Sequence, residues 1–365
     1  MIFWISSLLI MGLYACLTRI YHNDKLFLII SCIHCGFIMS FRSIDIGTDT
    51  FNYAYAFNVI RGGGILPENH VASSSKMFLL LFKIFSFLPK TQGYMMITSI
   101  PVIISLYVLI KKYSENYCLS IITFISSYLF FYSMNAARHF LAISLIFMCF
   151  VLLENKRIAF SIVVFLIACA VHNAVSIFVL YYFIYAVKWS GKRFVAFIIL
   201  AGIMMKAIPI FITIFIRIFP HYAWLSSRVF DRRYVSGGKT SLVYAFYSLL
   251  AVLLCFKGII KGEQCSTIRI NKILKIKHKN IQLTYRISCI LALSMVMFTM
   301  YSYSILISRI AYVFFAFIIL ALPNGLNDIV NFRLCAAVVY IPLIIFMLLQ
   351  LQGNYSGVLN YSFGF

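Results

Sequence analysis

The chain is poor in charged residues, and acidic residues are the scarcest of them. Charged side chains make up 11% of the 365 residues, and Asp and Glu together number only 9. Soluble domains carry about 25% charged residues, so this chain has too little polar surface to face water on all sides. Hydrophobic residues reach 63% and the mean hydropathy is +0.98. This composition excludes a soluble enzyme, a disordered chain and a secreted disulfide scaffold.

Several signatures of soluble chemistry are missing as well. The chain has no glycine-rich nucleotide-binding motif, no zinc-binding spacing and no Ser-His-Asp order. Its 10 cysteines lie almost entirely in apolar stretches, with Cys265 as the exception, so they predict no disulfide framework. Cys32 and Cys35 form a C-x-x-C spacing, but within a predicted span two small buried side chains are expected. We expect neither a metal ion nor a cofactor.

The long apolar runs predict an all-α integral membrane protein. At a rise of 1.5 Å per residue, a helix needs about 20 residues to cross a hydrocarbon core of about 30 Å. We expect residues 1–365 to form a single polytopic membrane domain, a bundle of about 12 transmembrane helices. The predicted spans are 1–18, 26–41, 93–110, 117–133, 139–153, 158–171, 173–187, 194–216, 241–256, 287–304, 309–323 and 334–352.

Three predicted loops connect these spans at functionally interesting points. Residues 42–92 form an outer loop with a re-entrant or interfacial helix at 77–89, and residues 217–240 form a second outer loop. Residues 257–286 form a basic cytoplasmic loop. The formal charge of +22 is typical of cytoplasmic loops that face anionic lipid headgroups. We therefore expect contact with membrane lipids and none with nucleic acid.

Arginines are frequent in the predicted outer segments, where the positive-inside rule does not favour them. A guanidinium forms paired hydrogen bonds to phosphate better than an ammonium group does. We infer that these outer arginines bind an anionic ligand at the outer face of the membrane. The candidates are Arg42, Arg138, Arg309, Arg228, Arg232 and Arg233.

The first outer loop also places a carboxylate close to Arg42. In the segment from Gly47 to Thr50, glycine can end the preceding helix, after which Thr48 or Asp49 caps a short helix. Two interpretations of Asp49 stay open from the residues alone. It serves only as that cap, or it faces a cavity at the membrane edge and accepts a proton from a sugar hydroxyl.

Two further polar groups lie near the predicted outer ends of spans. Arg138 begins a span, where a cation opposes the helix dipole, so a nearby anion would account for it. The adjacent His139 is interpreted as structural.

His172 lies halfway along the apolar run 158–187, which as one helix would be about 45 Å long. We expect a hairpin that turns at His172, and a histidine at such a turn favours a role in the site.

In their order along the chain, these elements resemble the Wzy-type O-antigen and exopolysaccharide polymerases, specifically the EpsG-like branch. The resemblance implies a GT-C-like membrane glycosyltransferase in the bacterial inner membrane, acting at the periplasmic or outer face. Its donor and acceptor would be undecaprenyl-diphosphate-linked repeat units, and binding of a chain-length regulator is left open. The resembling residues are Arg42, Gly47-Thr48-Asp49-Thr50 with Tyr53, Arg138 with Leu141-Ala142, Ala170-Val171-His172-Asn173-Ala174, and Arg309 with Tyr312.

This reaction needs a base for the acceptor hydroxyl and positive charge for the departing diphosphate. Asp49 is the first choice of base and His172 the second. Arg138, Arg309 and the arginines of the segment 228–233 would neutralise the diphosphate, while Arg42 would hold Asp49.

Three alternative functions stay open. A lipid-linked oligosaccharide flippase would show two related halves and charges inside its helices, whereas this chain has no internal repeat and carries its charges at the outer edge. An O-antigen ligase would use the same donor, and the Gly-Thr-Asp-Thr element favours the polymerase over it. A glycan acyltransferase is supported by His172 alone.

Overall fold

The computed structural model describes residues 1–218, 238–267, 280–299, 305–327, 329 and 331–364. These residues form two compact units, Met1–Ser176 with Ala336–Phe365 as unit 1 and Ile177–Cys335 as unit 2. Within the described residues the regular structure is helical, apart from an isolated antiparallel bridge between Arg42 and Phe363. The prediction of an all-α protein is confirmed.

Unit 1 contains the helices of the first half of the chain. Helix α5 packs against α2, α3 and α8, and α8 in turn packs against α9. The helices are α1 (Ile2–Ile20), α2 (Asp24–Ser40), α3 (Thr50–Arg61), α4 (Lys76–Ile84), α5 (Lys90–Tyr113), α6 (Tyr117–Ser126), α7 (Leu129–Asn135), α8 (Ala137–Glu154) and α9 (Ile158–Val171), with a short 3-10 helix at Val71–Ser74.

Helix α8 is the buried centre of unit 1. In its most apolar stretch 72% of the residues are buried, whereas the corresponding fraction in α1 is 22%. A helix that is apolar on all sides belongs in the interior, while one with exposed apolar residues such as Leu9 and Leu13 suits contact with lipid. The start of α8, which carries Arg138 and His139, is therefore held by neighbours on most sides.

Helices α6 and α7 form a bent pair. The bend is 54° and falls at Tyr128, whose φ of 68° lies in the left-handed region. Because this φ lies outside the right-handed helical region, the chain turns sharply here instead of continuing one straight helix. As a result α7 ends at Asn135, directly before α8 begins at Ala137.

Unit 2 contains α10 (Val179–Ala186), α11 (Gly191–Ile218), α12 (Gly238–Thr267), α13 (Ile281–Thr299), α14 (Ile305–Phe315) and α15 (Ile318–Asn327). A last helix, α16 (Phe332–Gln352), begins in unit 2 and continues into unit 1. Helix α12 packs against α13 and α15. Gly325 permits the close approach of α15 to α12, because a Cβ at position 325 would lie 2.7 Å from the Cβ of Leu254 in α12.

Several helices are long and apolar enough to cross a membrane. Six described helices meet that condition, or up to eight when the bent pairs α6–α7 and α14–α15 each count as one span. The multi-pass architecture is therefore established. The larger number of about 12 spans from the sequence includes shorter helices, such as α2 with 17 residues and α9 with 14.

The predicted loops coincide only in part with the gaps between helices. The segment predicted as the first outer loop contains α3, the 3-10 helix and α4, and α4 covers most of the predicted interfacial segment 77–89. Helix α12 continues to Thr267, into the predicted basic loop 257–286, and α13 begins at Ile281. Most of the predicted loop 217–240 lies outside the described residues.

Candidate functional site

The polar residues singled out in the first half of the sequence gather at one end of unit 1. Asp49 precedes α3, Arg138 lies in the first turn of α8, and His172 ends α9. The peptide N–H of Asp49 donates to Asn135 Oδ1 at 3.2 Å, and Asn135 lies three residues before Arg138. The structure thus brings Asp49, Arg138 and His172 into one neighbourhood.

The turn before α3 requires a glycine. Gly47 has a φ of +95°, which L side chains rarely adopt, and its peptide N–H donates to Gly357 O at 2.9 Å. A Cβ at this position would lie 2.7 Å from Thr50 Oγ1 and 3.1 Å from Met134 O. Thr50 Oγ1 in turn donates to Ile46 O at 2.6 Å. Glycine is therefore needed here both for its backbone conformation and for the contact with α7.

Asn135 anchors this turn to the end of α7. Its Oδ1 accepts hydrogen bonds from Thr48 Oγ1 at 2.7 Å and from the Asp49 peptide N–H at 3.2 Å. One amide oxygen therefore fixes two consecutive residues of the Gly-Thr-Asp-Thr element. The sequence did not indicate that Asn135 binds this turn. Thr48 and Asp49 precede Asn135 by 87 and 86 positions, so the contact forms only in the folded chain.

Asp49 is the N-cap residue of α3, and its side chain makes no capping hydrogen bond. The short helix after Asp49 was predicted to run from Thr50 to Ile60 and is observed as Thr50–Arg61. Of the two interpretations of Asp49, the purely capping one lacks the hydrogen bond that defines such a cap. The half-buried carboxylate lies one helical turn before Tyr53, whose peptide N–H donates to Asp49 O at 3.3 Å.

Arg42 lies in the interior beneath this turn. Its side chain is 1% exposed, and it donates to Ile46 O at 3.4 Å, to Met134 O at 3.1 Å and to Met39 O. Burial lowers the pKa of the Arg42 guanidinium from its ordinary value, while its interactions with Tyr94 and Tyr361 oppose that shift. The guanidinium therefore joins α2, the turn and α7, and its nitrogens are occupied by backbone carbonyls.

The C-terminal segment fastens the same turn from the other side. Ser43 N–H donates to Ser362 O at 2.8 Å, and Gly364 N–H donates to Phe41 O at 3.0 Å. This segment is itself held by Trp4, whose indole N–H donates to Val358 O at 2.8 Å. Residues 41–50 are thus fixed between α7 and the end of the chain.

Arg138 is placed differently. Its Nη1 donates to Ser74 Oγ at 2.7 Å and to Val71 O at 3.1 Å, in the 3-10 helix that precedes α4. The guanidinium carbon lies 5.9 Å from the centre of the Tyr53 ring, within the range of a cation–π interaction. Its Nε is buried without a hydrogen-bond partner among the described residues. Arg138 therefore has one N–H that no described residue accepts.

His139, which the sequence analysis interpreted as structural, lies against His172. The two imidazole ring centres are 4.6 Å apart with an interplanar angle of 40°. His139 is 3% exposed, and its Nδ1 shares a hydrogen bond of 2.8 Å with the Tyr132 hydroxyl. His172 ends α9 as predicted, and its Nδ1 accepts a hydrogen bond from Ala174 N–H at 3.2 Å. The pairing was not visible in the sequence because it depends on how α8 packs against α9.

The remaining predicted arginines lie in unit 2 or outside the described residues. Arg309 lies in α14 of unit 2, where its side chain is exposed. The positions of Arg228, Arg232 and Arg233 lie outside the described residues. No group of three or more His, Cys, Asp or Glu side chains suited to a metal ion occurs among the residues that are described.

The fold and site together define a multi-pass helical membrane protein with a polar, arginine-containing cluster at one end of unit 1. Comparison with protein families makes the assignment more specific. The chain belongs to the EpsG family, whose match covers residues 25–363. Searches of curated proteins and of solved structures find no match.

Proposed function

We propose that this protein is a polysaccharide polymerase of the bacterial inner membrane that joins lipid-linked oligosaccharide repeat units at the outer face. Membership of the EpsG family supports a role in polysaccharide biosynthesis. Donor and acceptor are both undecaprenyl-diphosphate-linked glycans. The proposal includes a GT-C-like bundle, with shorter helices such as α2 and α9 completing about 12 spans.

The observation that carries this proposal is the Nε–H of Arg138, near the Asp49 turn, which has no partner in the part of the chain that the structure describes. A group that binds a diphosphate must offer N–H donors that the protein itself does not use. Arg138 offers such a donor, whereas Arg42 donates to three backbone carbonyls. We therefore assign diphosphate binding to Arg138 and a positioning role to Arg42.

In the proposed reaction Asp49 accepts the proton of an acceptor sugar hydroxyl, whose oxygen attacks the anomeric carbon of the donor glycan. The bond between that carbon and the diphosphate oxygen breaks, and its electron pair leaves with undecaprenyl diphosphate. Arg138 stabilises the negative charge that develops on the leaving group. No metal ion takes part in this proposal, because guanidinium groups supply the positive charge.

Arg309, Arg228, Arg232 and Arg233 stay predictions for further diphosphate contacts. Alanine substitutions at these four positions test them in the assay described next. Binding of a chain-length regulator is tested by co-purification with the full chain.

The test is deletion of the gene in its host and complementation with variants of the full chain. Asp49→Asn and Arg138→Ala are expected to lower chain growth by at least about 100-fold, leaving glycan of a single repeat unit on the surface lipid. Asp45→Asn and Arg61→Ala are matched controls, because both side chains are exposed and lie in the same outer region. Both controls should give normal polymer ladders.

Two outcomes would contradict the proposal. Full-length ladders from well-expressed Asp49→Asn and Arg138→Ala variants would remove these residues from the site. Repeat units that accumulate on the inner face in the deletion strain, with none reaching the surface, would instead indicate the flippase.

A further inference from the structure

We propose that Tyr53 is a positioning residue that orients the Arg138 guanidinium for the substrate diphosphate. In this role its ring covers one flat face of the guanidinium, and the edge that carries Nε meets the phosphate oxygens. The inference rests on the proposed polymerase function and specifies how its diphosphate contact is built. It starts from the contact between the Tyr53 ring and the cation.

The Tyr53 ring is fixed by the core of unit 1. Tyr53 belongs to α3 and is 5% exposed. Its ring centre lies 5.5 Å from that of Phe78 in α4, in an edge-to-face arrangement, and 5.8 Å from that of Tyr94 in α5. Phe78 and Tyr94 are fully buried. Because these neighbours are closely packed, the Tyr53 ring has little freedom to change its orientation.

Arg138 lies over this ring. Its guanidinium carbon is 5.9 Å from the ring centre, within the distance of about 6 Å at which an aromatic face attracts a cation. A guanidinium on an aromatic face keeps its N–H donors in its own plane. The contact with Tyr53 therefore restrains the cation without using any of its hydrogen-bond donors.

The hydrogen bonds of Arg138 indicate which edge of the guanidinium meets the diphosphate. Nη1 donates to Ser74 Oγ and to Val71 O, whereas Nε has no partner among the described residues. In a guanidinium the Nε–H and one N–H of Nη2 point in the same direction, so the edge they form matches two oxygens of a phosphate. Since Nη1 is bound to the 3-10 helix, we assign the Nε edge to the diphosphate.

Tyr53 also connects the diphosphate contact to the proposed base. It lies one helical turn after Asp49, and its peptide N–H donates to Asp49 O at 3.3 Å. Helix α3 therefore has the base at its start and, one turn later, the ring that orients Arg138. Because the acceptor oxygen and the leaving group must be aligned for the transfer, a fixed spacing between Asp49 and Arg138 favours the reaction.

The first experiment measures the binding of two lipids to the detergent-solubilised full chain by microscale thermophoresis. The probes are undecaprenyl diphosphate and undecaprenol, which has the same chain without phosphates. Tyr53→Leu is expected to weaken binding of undecaprenyl diphosphate about 10-fold, because an unrestrained guanidinium must be ordered when it binds. Binding of undecaprenol should stay within about twofold. Tyr53→Phe keeps the ring face and should bind both lipids within about threefold of the unsubstituted protein.

Phe57→Leu is the matched control for a structural effect. Phe57 is a buried aromatic residue of the same helix, and its ring packs against Phe82 with 5.4 Å between the ring centres. This variant should bind both lipids within about twofold of the unsubstituted protein. If Tyr53→Leu weakened the binding of both lipids equally, or if Phe57→Leu weakened binding of the diphosphate as much, Tyr53 would only pack the core and the positioning role would be wrong.

A double-mutant cycle in the same binding assay tests whether Tyr53 acts through Arg138. Arg138→Ala alone should weaken binding of undecaprenyl diphosphate about 30-fold. In the Arg138→Ala background Tyr53→Leu should have little further effect, since no guanidinium remains to be oriented. A loss by the same factor in both backgrounds would overturn the inference.

Failure of the proposed function gives a different result. If membrane vesicles with the unsubstituted chain do not lengthen the host's own lipid-linked repeat units, the polymerase assignment is wrong whatever the lipid binding shows. If the vesicles lengthen these units normally, but Tyr53→Leu binds undecaprenyl diphosphate as tightly as the unsubstituted protein, the positioning role alone is wrong.

Discussion

Two arginines at the same end of unit 1 illustrate how differently one residue type is used. Arg42, in the turn before α3, is 1% exposed and donates to three backbone carbonyls. Arg138, in the first turn of α8, shares one nitrogen between Ser74 and Val71, and its Nε has no hydrogen-bond partner among the described residues. The first arginine is therefore bound within the fold, whereas the second is the arginine to which we assign the proposed diphosphate contact.

The two arginines differ because different parts of the chain surround them. The turn at residues 41–50 lies between α7 and the C-terminal segment, so carbonyl oxygens surround Arg42. The start of α8 contacts the 3-10 helix at Val71–Ser74, where a serine hydroxyl and one carbonyl accept hydrogen bonds from Arg138. If Arg42 donated to a diphosphate, the backbone carbonyls that it now binds would be left without donors, because water does not reach the buried turn. Such an exchange would therefore greatly destabilise the fold.

The largest expected effect is on stability and comes from Arg42→Met. The substitution removes the donors to Met39, Ile46 and Met134 from a buried position, so we expect a loss on the order of 3 kcal/mol. Arg42→Lys should restore little, since one ammonium group cannot reproduce the planar fork. Thermal unfolding of the detergent-solubilised protein measures the change, with Arg61→Met as the exposed control. A variant that unfolds normally but no longer makes polymer would instead indicate that Arg42 binds substrate.

Gly47→Ala, in the same turn, is expected to cause the next largest loss of stability. The positive φ costs about 1–2 kcal/mol for any L side chain, and the new Cβ would also meet Thr50 Oγ1 and Met134 O. We expect a total loss of about 2–3 kcal/mol, measured by thermal unfolding. Gly63→Ala is the matched control, because Gly63 has a φ of +77° but nothing within 4 Å of a Cβ. Equal losses for both variants would show that packing against α7 adds nothing.

The class of fold and several features of the site could be predicted from the sequence, because each of them depends on residues that are close together in the chain. Long apolar runs identify spanning helices whatever their neighbours are, and the break at His172 follows from the length of one run. The helix after Asp49 followed from the order of glycine, threonine and aspartate. In each case the information lies within a few consecutive residues.

The partners of these residues could not be predicted from the sequence. Asn135 reaches Thr48 across 87 positions, and His139 meets His172 only because α8 packs against α9. The burial of Arg42 likewise depends on α7 and on the C-terminal segment. Such contacts depend on tertiary packing, which one sequence without an alignment of relatives does not report.

Asn135→Asp tests whether Asp49, which lies near both arginines, is the base. The new carboxylate still accepts from Thr48 and from the Asp49 peptide N–H, but it adds a negative charge beside the proposed base. A like charge disfavours ionisation, so the acid limb of the rate profile should move to higher pH by about one unit. Asn135→Ala is the control, which should lower the rate about 10-fold without moving the limb. An unchanged limb in Asn135→Asp would mean that Asp49 is not the base.

The smallest expected effect is that of Ser74→Ala. The substitution removes one acceptor of Arg138 while Val71 O still holds the guanidinium, so stability should fall by no more than about 1 kcal/mol. Chain growth in vesicles should stay within about threefold of the unsubstituted protein, because the proposed partner of Arg138 during the reaction is the diphosphate. Ser73→Ala is the control, since its hydroxyl donates to Pro67 O and does not contact Arg138.

If Ser74→Ala stops chain growth as completely as Arg138→Ala, then Arg138 acts by holding the 3-10 helix at Val71–Ser74 and not by binding the substrate. The two arginines would then share one structural role, and the contrast between the buried turn and the start of α8 would disappear. A small effect of Ser74→Ala beside a large one of Arg138→Ala requires that the guanidinium has a partner other than Ser74. The diphosphate is the partner that the chemistry of the proposed reaction supplies.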